Sequence, residues 1–354
     1  MIDEFLNQVT EPEPLIFINA ATWLDREPVP PDQLLRDVWD RGDKLAIIGL
    51  SKLWKSFLAL QLSISLTAGR PFLNWNIEKR RRGVMCQFEV RDNHYHRRVR
   101  SMCRALGITP GDLGDRLHIL NGRGLGLSGA KGIARIEQNI INLAPDFVMI
   151  DPLYKVASGV ENAAEDAKII LTAFDQLAER TGAAVSYVHH DAKGSPGDRD
   201  IRDRGAGSNV LSRDYDVCFA MTGHAQQENA VVIDVLLRNY PPQDPLVIEF
   251  ANHGDGYCFH VCDDLAPEKK TSRTRKEQTP LSTYVSVVKT LLDGNELHIA
   301  NFKEQFKART GLSDNRIKQF LNWAQAGGRP LLLFREERGR GIHNKWIQIN
   351  ADYE

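Results

Sequence analysis

The chain has no excess of charge of either sign. Its 45 Lys and Arg residues stand against 46 Asp and Glu over 354 residues, a formal net charge of -1. No global basic field is available to attract a polyanion, so any nucleic-acid contact must come from local patches. Cysteine is scarce and irregular. Cys86, Cys103, Cys218, Cys258 and Cys262 are odd in number and unevenly spaced, which excludes a disulfide framework and suits a reducing compartment. Cys258 and Cys262 form a C-x3-C pair, but no second pair of ligand spacing lies nearby, so no zinc site is expected from it. No run approaches the roughly 18 apolar residues of a membrane span. The opening MIDEFLNQVTEPEP is acidic and polar, unlike a secretion signal, and the expectation is a soluble, cytoplasmic protein without internal repeats. What remains is an ordinary globular composition, 42% hydrophobic and 26% charged, in a chain long enough for two domains.

Pattern divides the chain into four parts: a lead-in over 1–40, a core over 41–262, a polar linker over 263–283 and a small module over 284–354. The lead-in holds the Pro-rich PVPPDQL. In the core, buried-strand runs (LAIIG from Leu45, VMCQFEV from Val84, LHILNG from Leu117, DFVMID from Asp146, AAVSYVHH from Ala183) alternate with amphipathic stretches. These stretches start at Ser56, His94, Gly132 and Glu165. Such alternation predicts a mainly parallel sheet covered on both faces. AVVIDVLLRNY and PLVIEFA, separated by PPQD, predict a terminal antiparallel hairpin.

The segment Ile47 to Leu60 is the most informative. A strand runs into Gly49, and Lys55-Ser56 then open a helix. The P-loop pattern G-x-x-x-x-G-K-[ST] is met at Gly49, Lys55 and Ser56, while Trp54 occupies the second glycine position. Such a loop wraps phosphates with backbone N–H groups, here between Gly49 and Phe57 and including Ser51 and Lys52. Lys55 would reach the phosphates and Ser56 would place its hydroxyl on Mg²⁺. The indole of Trp54 must turn away for the loop to work. Asp151 ends an apolar strand about where a second Mg²⁺ ligand is needed. Glu89 ends another and could orient or deprotonate an attacking water. His189 and His190 end a third, and alternation lets only one of them face the site; His189 is the first candidate. Arg204, in RDRGAGS, could act as an arginine finger on a neighbouring subunit.

Taken in order, GLSKLWKS, FEVRD with Arg98 downstream, MIDPLY, VHHDAKG, RDRGAGS and the VLLRNYPPQDP hairpin resemble the RecA-like AAA family ATPases over roughly residues 20–251. The group most similar is the hexameric replicative helicase of small plasmids and its phage relatives. The resemblance implies a RecA-like P-loop core that binds ATP and Mg²⁺. Lys55, Ser56 and Asp151 would be the phosphate and metal residues, Glu89 the catalytic carboxylate, and one of His189 and His190 the sensor. Lys193 and Arg204 would act in trans. It further implies a homo-oligomeric ring or hexamer with single-stranded DNA in its channel.

Beyond the linker, Tyr284 to Leu292, Ile299 to Thr310 and Asp314 to Ala326 predict three helices, followed by a hairpin over Leu331 to Ile349. This is the outline of a winged-helix-like domain. Arg316 and Lys318, with Asn315 and Gln319, would face duplex DNA from the last helix. Arg338, Arg340 and Lys345, with His343, would do so from the wing. Two further basic stretches stand out: KKTSRTRK (269–276) in the linker could add non-specific phosphate contacts, and EKRRRG (78–83) reads either as a phosphate contact or as a solvated turn. The alternative to a DNA-coupled ATPase is a non-enzymatic DNA-binding regulator with a weak nucleotide site.

Overall fold

The computed structural model describes residues 16–127, 129–157, 163–190, 214–271, 280–326, 330–339 and 342–353. The chain divides into two compact units, residues 1–32 and 33–354. In the first, Asn19 caps the short helix α1 (Ala20–Leu24) through its side-chain oxygen, and no residue of that helix is buried.

The second unit begins with a small hairpin, β1 (Gln33–Leu35) and β2 (Trp39–Asp40). Leu34, Leu35, Val38 and Trp39 are fully buried in the main hydrophobic cluster, so the lead-in expected to reach residue 40 gives way to the core sooner. There follow β3 (Lys44–Gly49), α2 (Lys55–Ala68), β4 (Gly83–Gln87), α3 (Asp92–Ala105), α4 (Pro110–Leu113), β5 (Leu117–Asn121) and α5 (Gly129–Ile140). Next come β6 (Phe147–Asp151), α6 (Tyr154–Ala157), α7 (Ala163–Thr181), β7 (Ala184–His190), β8 (Val217–Gly223), β9 (Ala230–Leu237), β10 (Leu246–His253) and β11 (Gly256–Val261).

Nine of these strands form one sheet in the order β11-β10-β9-β8-β3-β7-β6-β4-β5. From β8 to β5 every pairing is parallel, and β8, β9, β10 and β11 pair antiparallel. The parallel strands β3, β4 and β6 are buried throughout, as strands covered on both faces must be. One face packs on α2 through Leu58, Leu62 and Leu66, and the other on α5 and α7 through Ile133, Ile136, Phe174 and Leu177.

Two sequence expectations change. β4 stops at Gln87 rather than reaching Val90, because the Gln87 side chain takes the place of ladder partners. Its Oε1 accepts from the Val90 N–H at 2.9 Å and its Nε2 donates to the Val90 carbonyl at 2.8 Å. The basic stretch 78–83 is mixed: Glu78, Lys79 and Arg80 are exposed, while Arg81 and Arg82 are tied into the fold. Arg81 is 2% exposed, donates to the Gln33 carbonyl and lies 3.8 Å from Asp146. Arg82 meets Asp115 at 3.2 Å.

The polar stretch from 263 begins attached to the sheet. The Lys270 N–H donates to the Gly223 carbonyl at 2.7 Å, and Lys269 pairs with Asp234 at 2.6 Å. Residues 272–279 lie outside the described residues. Beyond them come α8 (Val285–Leu292), β12 (Leu297–His298), α9 (Ile299–Thr310), α10 (Asp314–Gln325), β13 (Leu332–Gly339) and β14 (Ile342–Ile349). The strands form a second sheet, β12-β14-β13. Ser313 caps α10 by accepting from the Arg316 N–H. Phe302, Phe306, Phe320 and Ile347 are wholly buried in a cluster drawn only from this region.

Candidate nucleotide site

The sheet order places the chemistry. Four neighbouring parallel strands, β3, β7, β6 and β4, end in Gly49, His190, Asp151 and Gln87; Gly49 is level with His190 and Asp151 with Gln87, while β7 runs on past its last β6 pairing, Tyr187 with Ile150. Ligands of open α/β sheets bind at such carboxyl ends.

Gly49 has no room for a side chain: a Cβ there would stand 2.9 Å from the Met221 carbonyl oxygen on β8. The loop then turns through Lys52 and Trp54, both with left-handed backbones at φ 66° and 54°. Trp54 thus adopts a conformation that favours glycine. Its ring packs 5.8 Å from Phe250 on β10. Phe57 packs on the same Phe250 at 4.8 Å, with the Arg98 guanidinium over its ring at 4.7 Å. Ser51 and Lys52 are exposed on the loop.

Lys55 opens α2 and is 5% exposed. Its amine donates to the carbonyls of Gly49 at 2.8 Å and Leu50 at 2.7 Å, and stands 3.3 Å from Nδ1 of His190. Ser56 Oγ donates to Asp151 Oδ1 at 3.0 Å across 95 residues of sequence. Burial pushes the Asp151 carboxyl up to about 6 and Glu89 adds to this, while the Ser56 hydrogen bond and the charges of Lys55 and Arg98 oppose it. A buried, poorly neutralised carboxylate beside a serine hydroxyl and a lysine amine fits a dication and a phosphate chain.

Glu89 lies two residues past β4, exposed, and accepts a hydrogen bond from the Tyr154 hydroxyl. Burial pushes the Tyr154 phenol up to about 12, with the Glu89 hydrogen bond and charge adding to it. The Tyr154 ring lies 6.0 Å from that of His190. Sequence reasoning quoted Tyr154 within MIDPLY and assigned it nothing. The available signal was an aromatic hydroxyl three residues after the strand-ending Asp.

Of the two histidines, the structure brings His190 to Lys55. His189, the first candidate from sequence, sits opposite Ile48 in the ladder while His190 sits opposite Gly49, and alternation turns adjacent side chains to opposite faces. Lys193 and Arg204 lie outside the described residues. Among the DNA candidates, Lys318 is exposed on α10. Arg316 donates to Gln319 at 2.8 Å on the same helix. Lys345 on β14 is 3.5 Å from Glu336 and 4.7 Å over the Phe334 ring. Arg340 and the side chains of Arg338 and His343 lie outside what is described.

A mainly parallel sheet whose strand ends gather a glycine loop, a lysine, a serine and an aspartate is the core of a P-loop nucleoside triphosphatase. A family model, the AAA domain, matches residues 11–196, just over half of the sequence, and the chain belongs to this family. Membership points to a nucleotide-binding ATPase. No curated protein matches the chain. Among the described residues no helix is long and apolar enough to cross a membrane.

Proposed function

We propose that the protein is a Mg²⁺-dependent ATPase that works on DNA, a helicase-like or helicase-loader-like motor of a phage, plasmid or mobile element. One observation carries the ATPase reading: Ser56 meets Asp151 at 3.0 Å beside the buried Lys55 amine. On this reading Lys55 exchanges the Gly49 and Leu50 carbonyls for phosphate oxygens. Ser56 and Asp151 would hold Mg²⁺, which when bound would neutralise phosphate charge. Glu89 orients the attacking water and takes its proton, held in place by the Tyr154 hydroxyl. His190, between Lys55 and Tyr154, senses the terminal phosphate. Arg204 of a neighbouring copy completes the site in a ring.

The DNA part is supported by a cleft of about 490 Å³ lined by Arg91, His94, Arg97, Arg98, Arg123 and Val90. Its basic residues come from the N-cap Arg91 and helix α3, and from the loop after β5. Four guanidiniums around one cleft suit phosphate oxygens, and local basicity is what a chain of nearly zero net charge needs. The three helices and three-stranded sheet after residue 280 support a winged-helix-like domain that contacts duplex DNA.

Phosphate release with and without single-stranded DNA tests the reading. Lys55→Ala is expected to abolish turnover, and Glu89→Gln to retain nucleotide binding while turnover falls on the order of 10²–10⁴-fold. Wild-type turnover that persists in Lys55→Ala rejects the site. Turnover indifferent to DNA rejects the coupling alone.

A further inference from the structure

A second cluster of chemically active side chains lies at the antiparallel edge of the main sheet, on the face opposite the one where Phe250 packs on Trp54 of the P-loop. The β10–β11 ladder sets Glu249 directly opposite His260. Cys262 follows His260 by two residues, and its N–H donates to the Val247 carbonyl at 2.9 Å, so the ladder continues one residue past β11. Residues two apart on a strand share a face, and a residue opposite them on the neighbouring strand lies within side-chain reach. The three side chains converge. A carboxylate oxygen of Glu249, an imidazole nitrogen of His260 and the Cys262 sulfur lie within 4.8 Å of one another, with His260 Nε2 3.5 Å from Glu249 Oε2.

The face they occupy differs from the one that builds the core. Phe250 and Phe259 alternate to the other side and pack on each other at 5.0 Å, and the backbone of Phe259 is held by the buried Gln61 of α2. On the cluster's own face, Cys262 packs beside Leu265 on Ala230, Val232 and Val247. The sulfur is therefore backed by apolar side chains, while Glu249 and His260 reach toward solvent.

We propose that Glu249, His260 and Cys262 form a transition-metal site that takes Zn²⁺. One nitrogen, one sulfur and one oxygen donor make a set suited to zinc and unsuited to Mg²⁺, which demands oxygen ligands. A tetrahedral ion bonded at about 2.0–2.3 Å sets its donors roughly 3.3–3.8 Å apart. The His260–Glu249 separation already meets this, and a small rotation of these half-exposed side chains closes the third. On binding, Cys262 gives its thiol proton to solvent as the sulfur–zinc bond forms. The fourth position stays open to water. The site is separate from the oxygen-rich one at Ser56 and Asp151. It also explains why cysteine spacing is a poor guide: the C-x3-C partner, Cys258, sits opposite Ala251 and lies outside the triad.

Titration of the full-length, chelator-treated protein with Co²⁺ tests the proposal, read by thiolate-to-cobalt charge-transfer absorption. The expected result is one Co²⁺ per chain with that band, displaced by equimolar Zn²⁺ and unmoved by excess Mg²⁺. Cys258→Ser keeps the band, Cys262→Ser abolishes it, and His260→Gln weakens binding. His260 is at the surface, so that variant folds even if the cysteine variant does not. A missing band in the wild type, or a band that survives Cys262→Ser or disappears with Cys258→Ser, overturns the site. Co²⁺ bound without a thiolate band counts as binding elsewhere and also overturns it.

Discussion

Trp54 and Asp151 show how single residues carry cost at the nucleotide site. A left-handed backbone at a non-glycine residue costs roughly 1–2 kcal/mol, and Trp54 adopts one at the N-cap of α2. Its indole packing on Phe250 offsets that cost. Trp54→Gly is therefore expected to change thermal stability little and to preserve ATP binding. Trp54→Val keeps the strain, adds a β-branched side chain and loses the ring contact, so it should destabilise the loop. Equal nucleotide affinities and equal melting temperatures for the two variants would remove strain from the account. Asp151 has a pH signature. Its folded pKa is raised to about 6 from 3.8, so the protonated form favours folding. That contribution is full below the unfolded pKa and is lost as pH rises through about 6, leaving a buried ionised carboxylate above it. Asp151→Asn should thus stabilise the nucleotide-free protein near pH 7.5 by on the order of 2 kcal/mol and change it little near pH 4. It should abolish Mg²⁺-dependent nucleotide binding at both. In the wild type, Mg²⁺-nucleotide affinity should fall as pH drops below 6. Calorimetric melts and binding isotherms across that range check both signs.

At the scale of elements, the row of strand ends was largely legible and its neighbours were not. Continuous apolar runs ending in Gly49, Asp151 and His190 announced buried parallel strands, because a strand covered on both faces has no polar side to show. Choosing between His189 and His190 needed the register of β7 against β3, which periodicity does not contain. The end of β4 depended on the Gln87 amide folding back onto Val90, a tertiary detail. β11 was missed although Gly254-Asp255-Gly256 between apolar stretches is a hairpin cue. The triad of Glu249, His260 and Cys262 was missed with it, since only the ladder makes them neighbours. The same strand makes a close contact with α3, the helix that carries Arg97 and Arg98. A Cβ on Gly256 would lie 1.9 Å from the Ser101 carbonyl oxygen and 3.1 Å from the Ala105 nitrogen. These are backbone atoms of a packed helix and cannot swing aside, so Gly256→Ala must displace α3 or the strand. Overpacking of this kind costs typically 1–3 kcal/mol. A melting temperature lowered by at least about 2 °C is expected, and an unchanged one would show that α3 does not rest on β11 in solution.

For the whole molecule, the hydrophobic clusters separate cleanly among the described residues. The main-sheet clusters draw on residues no later than Leu265, and the C-terminal cluster begins at Leu281. A region with its own buried phenylalanines, a capped helix and a three-stranded sheet has what independent folding requires. Residues 280–354 expressed alone are expected to unfold in one cooperative transition, and residues 33–271 to keep nucleotide binding. If the proposed division of labour holds, the short fragment binds duplex DNA with an affinity that falls steeply with salt. Lys318→Glu on the exposed face of α10 then weakens that binding, leaving the melting temperature of the fragment unchanged because the side chain is exposed. In the full chain the same substitution leaves turnover without DNA unchanged, since ATP is handled by a different cluster of elements. A fragment that folds cooperatively yet ignores duplex DNA at low salt would instead assign this region to protein contact. A fragment that does not fold would mean that its buried cluster depends on the rest of the chain.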